Sequence, residues 1–358
     1  MPDNTRLDLA ELERPALERA LAERGLERFR ARQIFGWLYR RGVLDLEAMT
    51  DLSLETRKTL ATQFTVTTPR VVTRERSEDG TEKFLLRLAD GRQIESVFIP
   101  DTPAMTFCVS TQVGCAMACA FCLTGKMGLV RNLTAGEIAG QVRVLADALA
   151  LRDKAFNIVL MGMGEPLHNY DETMKALRIL ADEAGFALPP RRVTLSTVGL
   201  LPALEKLARE PIMPNLAISL HAPTDVVRGQ LVPLNQKYGV ADVIAACKRF
   251  PIRKRSRITF EYVLLAGVND SPDDARKLAK LLAGVKSKVN LIPLNAAAGI
   301  PFERPSDAVI DRFAATLAER DVTVSVRKSR GRDIRAACGQ LIVEGQKKSP
   351  AQQLAVML

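Results

Sequence analysis

MTFCVSTQVGCAMACAFCLTG, residues 105–125, opens on an apolar, strand-like run and ends on Cys115, Cys119 and Cys122. The opening run is the first of a series. FNIVLMG (156–162), RVTLSTVG (192–199), NLAISLH (215–221), RITFEYVLL (257–265), KVNLIPLN (288–295) and VTVSVRK (322–328) follow it. Between them lie helical patterns such as TAGEIAGQVRVLADALAL (134–151) and YDETMKALRILADEAG (170–185). Repeating βα units imply a parallel sheet with helices outside it. Six or seven units fit an α/β barrel better than an open nucleotide-binding sheet, and MGMGEP (161–166) lacks the third glycine of a dinucleotide fingerprint. The expected fold is a partial (βα)6-type TIM barrel. Chemistry in such barrels sits at the C-terminal ends of the strands, which is where Glu165, Ser196, Ser219, His221 and Asn295 fall.

Upstream, the period changes twice. Residues 1–64 read as a small helical module: Leu7, Leu9, Leu12, Leu17 and Leu21 recur at near-helical spacing. RARQIFGWLYRRG (30–42) places Ile34, Phe35, Leu38 and Tyr39 on one side with arginines around them, and Gly42 can end that helix. Residues 65–104 alternate and are punctuated by Asp79-Gly80 and Asp90-Gly91, the signal for two β-hairpins. The barrel is expected over 105–344, and 345–358 as a loose tail.

The 358 residues are 47% hydrophobic and 26% charged, a globular composition. No apolar run is long enough to span a bilayer. The acidic, polar start does not read as a secretory leader, so a reducing cytoplasmic setting is expected, where six cysteines point to metal binding or catalysis rather than disulfides. The net charge of +10 favours a polyanionic partner, nucleic acid first. The positive charge concentrates in RFRARQIFGWLYRRG (28–42), KRFPIRKRSR (248–257) and RKSRGRDIR (327–335). These runs form one face only if the fold brings them together.

Cys115, Cys119 and Cys122 have the spacing C-x3-C-x2-C, in the loop after the first barrel strand. Soft thiolates at this density suit zinc or an iron–sulfur cluster. A structural zinc site takes four ligands, usually as two C-x2-C pairs. No second pair is present, and both histidines follow other strands. A [4Fe–4S] cluster held by three cysteines leaves one iron open to an external ligand.

With Phe121 before the last cysteine, this motif resembles the signature of the radical S-adenosylmethionine (SAM) enzymes. In that family the open iron binds the amino and carboxylate groups of SAM, which is cleaved to a 5′-deoxyadenosyl radical. The likeness extends through RNLTAGEIAGQV (131–142), MGMGEPL (161–167), TLSTVG (194–199), AISLHAP (217–223), IPLN (292–295) and SRGRDIRAACGQL (329–341). From about Arg28 to Leu341 the chain resembles the radical-SAM adenine-C2 methyltransferases of 23S rRNA and tRNA, which carry a helical N-terminal RNA-binding module.

The resemblance implies one [4Fe–4S] cluster on Cys115, Cys119 and Cys122. It implies SAM contacts at Gly164, Glu165, Ser196, Ser219, Leu220, His221 and Asn295, with Glu165 taking the SAM amino group. It implies that a first SAM methylates Cys338 and that the radical from a second removes hydrogen from that methyl group. The methylene radical then adds to C2 of adenine, and Cys108 resolves the protein–RNA adduct through a transient disulfide with Cys338. Glu95 matches a proton acceptor. C2 of adenine is electron-poor and cannot attack a sulfonium methyl, whereas a carbon radical can add to it. The partners implied are 23S rRNA, tRNA and an electron donor such as a flavodoxin-type reductant, with no membrane and a monomeric enzyme. Cys247, in the helix-like VIAACKRF, reads as core. A related C8 methyltransferase shares the same cysteines, and a zinc-stabilised RNA-binding protein remains a reading of another class.

Overall fold

The computed structural model describes residues 6–100 and 104–343, so the expected tail at 345–358 lies outside the described residues. Ten strands form the main sheet: β1 (Arg70–Arg76), β2 (Glu82–Arg87), β3 (Gln93–Ile99), β4 (Thr106–Cys108), β5 (Asn157–Leu160), β6 (Val193–Thr197), β7 (Asn215–Ser219), β8 (Ile258–Leu264), β9 (Ser287–Pro293) and β10 (Val324–Val326). Their spatial order follows the chain without a crossover, and β4 through β10 are parallel. The seven parallel strands are the seven runs read from the sequence.

Each parallel connection carries a helix, namely Ala135–Ala148, Tyr170–Ala181, Leu201–Leu207, Val240–Arg249, Pro272–Leu281 and Asp307–Ala318. The sequence starts them where chemistry favours it. Thr134 and Glu137 form a capping box on the first, and Ser271 and Asp274 form another on the fifth. The sheet does not close: β10 and β1 are its two edges. Buried Phe107, Ile158, Leu195, Ile218, Phe260 and Leu291 belong to the continuous core. Cys247 lies there too, buried in its helix.

Strands β1 to β3 form an antiparallel meander, two hairpins sharing β2, and β3 pairs with β4. The extension is therefore continuous with the barrel sheet.

The N-terminal module differs from the expected helix at its start. Leu7–Asp8 is a short strand paired in parallel with Phe64–Thr65, and a 3-10 turn at Leu9–Glu11 follows. Asp8 accepts from the amide of Ala10, an N-cap contact that stops a helix from running through, and the first α-helix is Arg14–Ala22 with proline in its first turn. Leu17 and Leu21 lie buried in that helix as expected, whereas Leu7, Leu9 and Leu12 precede it in the strand, the 3-10 turn and the end of that turn. Ile34, Phe35, Leu38 and Tyr39 are fully buried as expected, and Gly42, at φ 74°, ends their helical segment. Glu13 to Arg178 (2.8 Å) and Arg14 to Asp182 (2.9 Å) tie the module to the helix Tyr170–Ala181 and the turn after it.

Candidate active site

The site is built on the C-terminal ends of the parallel strands. A two-stranded ribbon, Gln112–Gly114 with Leu129–Asn132, frames the loop that carries the three cysteines. Cys115, Cys119 and Cys122 line a cavity of about 150 Å³ with Phe121, Gly164, Glu165, Ser196, Ser219, His221, Asn295 and Cys338. Residues drawn from six separate stretches of chain meet there.

Each wall has a local cause. Gly164 adopts φ +110°, and a Cβ on it would lie 2.7 Å from the Gln112 side chain, so only glycine lets this turn approach the ribbon. The Oε1 atom of Gln112 accepts from the amide of Glu165 (2.9 Å). The Glu165 carboxylate in turn accepts from the amides of Leu167 and Val198, both at 3.0 Å. Burial outweighs those bonds and lifts its pKa to about 7. A buried, fixed carboxyl at that balance is suited to an ammonium partner, which would restore its charge.

Ser196 Oγ and Ser219 Oγ lie 3.3 Å apart. Leu220 does not line the cavity: side chains alternate along a strand, and Leu220 points into the core while Ser219 faces the site. His221 is turned back inward by a left-handed backbone, φ 63°. Its Nδ1 accepts from the amide of Val263 (3.1 Å), which leaves the proton on Nε2. Burial, helped by Arg228, pushes its pKa down to about 3, so the ring is neutral. It packs edge-on against Phe121, with centroids 4.6 Å apart. Asn295 donates to the carbonyl of Cys338 (3.3 Å), while its Oδ1 is buried without a partner. An orphaned acceptor facing a cavity is the mark of a ligand site.

The donor set fits a cluster. The three thiols border one cavity, and soft donors grouped in this way suit an iron–sulfur cluster. Burial raises all three thiol pKa values, so ligation would displace their protons.

A second cavity, about 840 Å³, fills the bore of the barrel. Bulky branched side chains normally pack a barrel interior. Here Thr106, Asn157, Thr194, Asn215, Thr259 and Asn290 line it and leave it open and polar. Arg191, Arg192 and Lys288 stand at the N-terminal strand ends, and Arg327, Lys328 and Arg330 after β10. Cys108 lines this bore, and Cys338 borders both cavities. Burial first, and then the neighbouring Cys338, push the Cys108 thiol up to about 12. Glu95 lines neither cavity. It is buried beside Lys83 (3.2 Å), and its Oε2 accepts from the amide of Ile342 (2.8 Å).

The structure also identifies supports that no local pattern announced. Arg228 is fully buried and donates to the carbonyls of Val198 (2.6 Å), Leu220 (3.1 Å) and Ser219 (3.4 Å) and to Asn235 (2.9 Å). It ties together the ends of β6 and β7. Asn269 donates to the carbonyl of His221 (2.7 Å) and so holds its unusual backbone. Glu261 and Arg327 border both cavities.

Comparison with known proteins agrees with this geometry. Residues 109–282 match the radical SAM superfamily, and residues 7–66 match the ribosomal RNA large subunit methyltransferase N-terminal domain. The dual-specificity RNA methyltransferase RlmN of Geobacter sulfurreducens is 49% identical over 94% of this chain and 92% of its own length. That of Syntrophotalea carbinolica is 48% identical over 99% of this chain and 94% of its own. The crystal structure of a radical SAM methyltransferase from Sphaerobacter thermophilus superposes with a TM-score of 0.89 at 49% identity, covering 94% of this chain and 99% of that one. With its N-terminal module, its barrel and its three-cysteine loop all matched, this chain belongs to the dual-specificity RNA methyltransferase family RlmN within the radical SAM superfamily.

Proposed function

We propose that this chain methylates C2 of an adenine in 23S rRNA and in tRNA, with Cys338 as the methyl carrier. One observation carries the reading: Cys338 borders both the cysteine-lined cavity and the bore, and Cys108 waits in the bore. A carrier that collects its methyl group in one chamber and delivers it in the other needs that position.

Cys115, Cys119 and Cys122 would hold the [4Fe–4S] cluster. Glu165 would receive the SAM ammonium group, and Gly164, Ser196, Ser219, His221 and Asn295 would surround the rest, with Leu220 acting through its backbone. The cofactors supply a sulfonium methyl group and a one-electron route to a carbon radical; the protein supplies position and shelter. Cys338 takes the methyl group on Sγ and presents its carbon to the bore. The bore, wide enough for a nucleoside and basic at both ends, admits an adenosine taken out of its stack while the cations hold flanking phosphates. Glu95 is the final acceptor of the proton lost from C2, and because it lines neither cavity that proton reaches it through a relay rather than by direct contact. Cys108, as a thiolate, then bonds to Cys338 Sγ while the bond from Cys338 Sγ to the methylene carbon breaks and that carbon takes a proton; the unpaired electron of the adduct would pass to the oxidised cluster, so that the methylated base and the disulfide both leave closed-shell. The electron comes from a flavodoxin-type donor, and the chain acts as a monomer. The N-terminal module, with Arg28, Arg32, Arg40 and Arg41 exposed, provides a further phosphate-binding surface.

The test is nucleoside mass spectrometry of rRNA and tRNA from anaerobic reactions. 2-Methyladenosine is expected, and 8-methyladenosine alone would overturn the reading. Cys338→Ala is expected to abolish methylation while retaining the cluster chromophore, and Cys108→Ala to accumulate a covalent protein–RNA adduct on denaturing gels.

A further inference from the structure

A single layer of side chains separates the two cavities. Met161, Glu261, Ile292, Asn295, Arg327 and Cys338 border both. Along β8 the inward positions step through this layer: Thr259 borders only the bore, Glu261 both cavities, and Val263 only the cysteine-lined one. Glu165, Ser196, Ser219 and His221 lie wholly on the cysteine-lined side. A group that approaches Cys338 from the bore meets the shared layer, and the charged members of that layer are Glu261 and Arg327.

Both are held in place, and both keep hydrogen-bonding capacity. Glu261 pairs in register with Asn290 on β9, and Asn290 with Ser325 on β10. A ladder of side chains follows from that register. Ser325 Oγ donates to Asn290 Oδ1 (3.1 Å), and Asn290 Nδ2 donates to Glu261 Oε2 (2.8 Å), which leaves Oε1 as the open acceptor. Arg327 is fixed by its amide, which donates to the carbonyl of Leu291 (2.8 Å). Its side chain reaches across the bore to Met161, just past β5, where Nη1 lies 3.9 Å from Sδ. That weak contact is the one hydrogen bond of the guanidinium among the described residues, so most of its N–H donors stay available. Cys338 first, and after it Glu261 and Cys108, raise the pKa of Arg327 against the cost of burial, which places the cation among these three groups. Yet among the described residues Glu261 and Arg327 form no ion pair. A carboxylate and a guanidinium that share a cavity wall without meeting suit a guest that carries an acceptor and a donor side by side.

The Watson–Crick edge of adenine has that pattern: N1 accepts, the N6 amine beside it donates, and C2 is the other neighbour of N1. We infer that Arg327 and Glu261 read the target base, the guanidinium donating to N1 and Glu261 Oε1 accepting from the N6 amine, and that this pairing sets C2 against Cys338. The inference rests on the proposed function for the base and for the carbon that is methylated. Reading a flipped base on this edge is common among base-modifying enzymes. The same pair rejects guanine, whose N1–H would confront the guanidinium and whose O6 would confront the carboxylate. A cation on N1 also draws electron density from C2, which favours addition of a carbon radical there. The Hoogsteen edge, with N7 beside N6, offers the same pattern and would set C8 against Cys338 instead, so the ring nitrogen that matters identifies the edge.

The test crosses enzyme variants with single-atom analogues of the target adenosine, each placed in otherwise unmodified RNA and methylated by anaerobic holoenzyme in single turnovers. Wild type is expected to methylate purine riboside, which lacks the N6 amine, about 10- to 100-fold more slowly than adenosine, the usual effect of losing a hydrogen bond to a charged group. Glu261→Ala is expected to treat the two alike. Glu261→Gln is expected to reverse the preference, because Asn290 holds the amide oxygen at the Oε2 position and so turns the amide N–H groups onto the N6 amine. A residue that merely supports the fold would not produce a reversal. Likewise 1-deazaadenosine, which lacks N1, should be slow with wild type and should lose that added penalty with Arg327→Met, whereas 7-deazaadenosine should react like adenosine throughout. Visible absorption verifies that each variant carries its cluster. Equal rates for adenosine and purine riboside in wild type would overturn the pairing. So would discrimination that survives undiminished in the Glu261 variants, a penalty on 7-deazaadenosine in place of 1-deazaadenosine, or variant defects that saturating SAM removes. Failure of the methyltransfer reading would show separately, as the absence of 2-methyladenosine when wild type acts on unmodified RNA.

Discussion

Glu165 shows how one side chain couples cofactor binding to stability. Its pKa, about 7 in the fold, stands above the ordinary 4.5 because burial costs the charged form more than two backbone N–H groups return. A group whose folded pKa is raised stabilises fully below its unfolded value and loses that contribution as pH rises through the folded one. For Glu165 the window runs from pH 4.5 to about 7, and the gap corresponds to at most about 3 kcal/mol. Without SAM, melting temperature should decline across this window, and Glu165→Gln should flatten the decline. SAM should recover the lost stability, because its ammonium group pairs with the carboxylate. The same substitution removes a charged acceptor and should weaken SAM about 10- to 100-fold. Calorimetric melts against pH, with and without SAM, check both. A slope in Glu165→Gln equal to wild type would mean another group carries the dependence.

Among the elements, strand ends were legible in the sequence and their supports were not. The runs from Met105 to Lys328 announced themselves by apolar content and by the helical patterns between them, and a residue at a strand's C-terminal end needs nothing more to be placed in a barrel's active face. That reasoning located Glu165, Ser196, Ser219, His221 and Asn295. It could not separate Ser219 from Leu220, because His221 leaves the strand through a backbone turn that no side-chain pattern reveals. Leu7–Asp8 was missed because its pairing partner, Phe64–Thr65, is remote in the chain. Arg228 was missed for the same reason, as an arginine inside an ordinary amphipathic helix whose acceptors lie on other elements. Its effect should nevertheless be large. Arg228→Met leaves carbonyls at the ends of β6 and β7 without donors, at about 1–3 kcal/mol for each one left unsatisfied. The variant should melt several degrees lower and bind SAM more weakly, with the cluster still assembled, as thermal denaturation and visible absorption would record. Unchanged SAM affinity would show that the arginine does no more than fill space.

At the scale of the whole molecule, the positive charge does not gather on one face. KRFPIRKRSR lies at the N-terminal ends of the strands, where Arg253 bonds the carbonyl of Met213 (3.1 Å) and Arg257 bonds Thr323 (2.6 Å). RKSRGRDIR follows β10 at the opposite end and carries Cys338 on its continuation. A polyanion long enough to touch both must run along the barrel wall, and only the second cluster can set the distance between a base and Cys338. Charge at the two places should therefore do different things. Lys254→Glu with Arg255→Glu should weaken RNA binding with little change in turnover at saturating RNA. Lys328→Glu with Arg330→Glu should lower turnover itself, because phosphates at the mouth of the bore orient the target base. Every phosphate that a substitution leaves without its cation should reduce the slope of log affinity against log salt by about one. Titrations across salt concentrations, paired with single-turnover rates at saturating RNA, separate the two effects. If both pairs changed affinity alone and in equal measure, the cations of the bore would serve as a general electrostatic surface rather than as the guide of the target nucleotide.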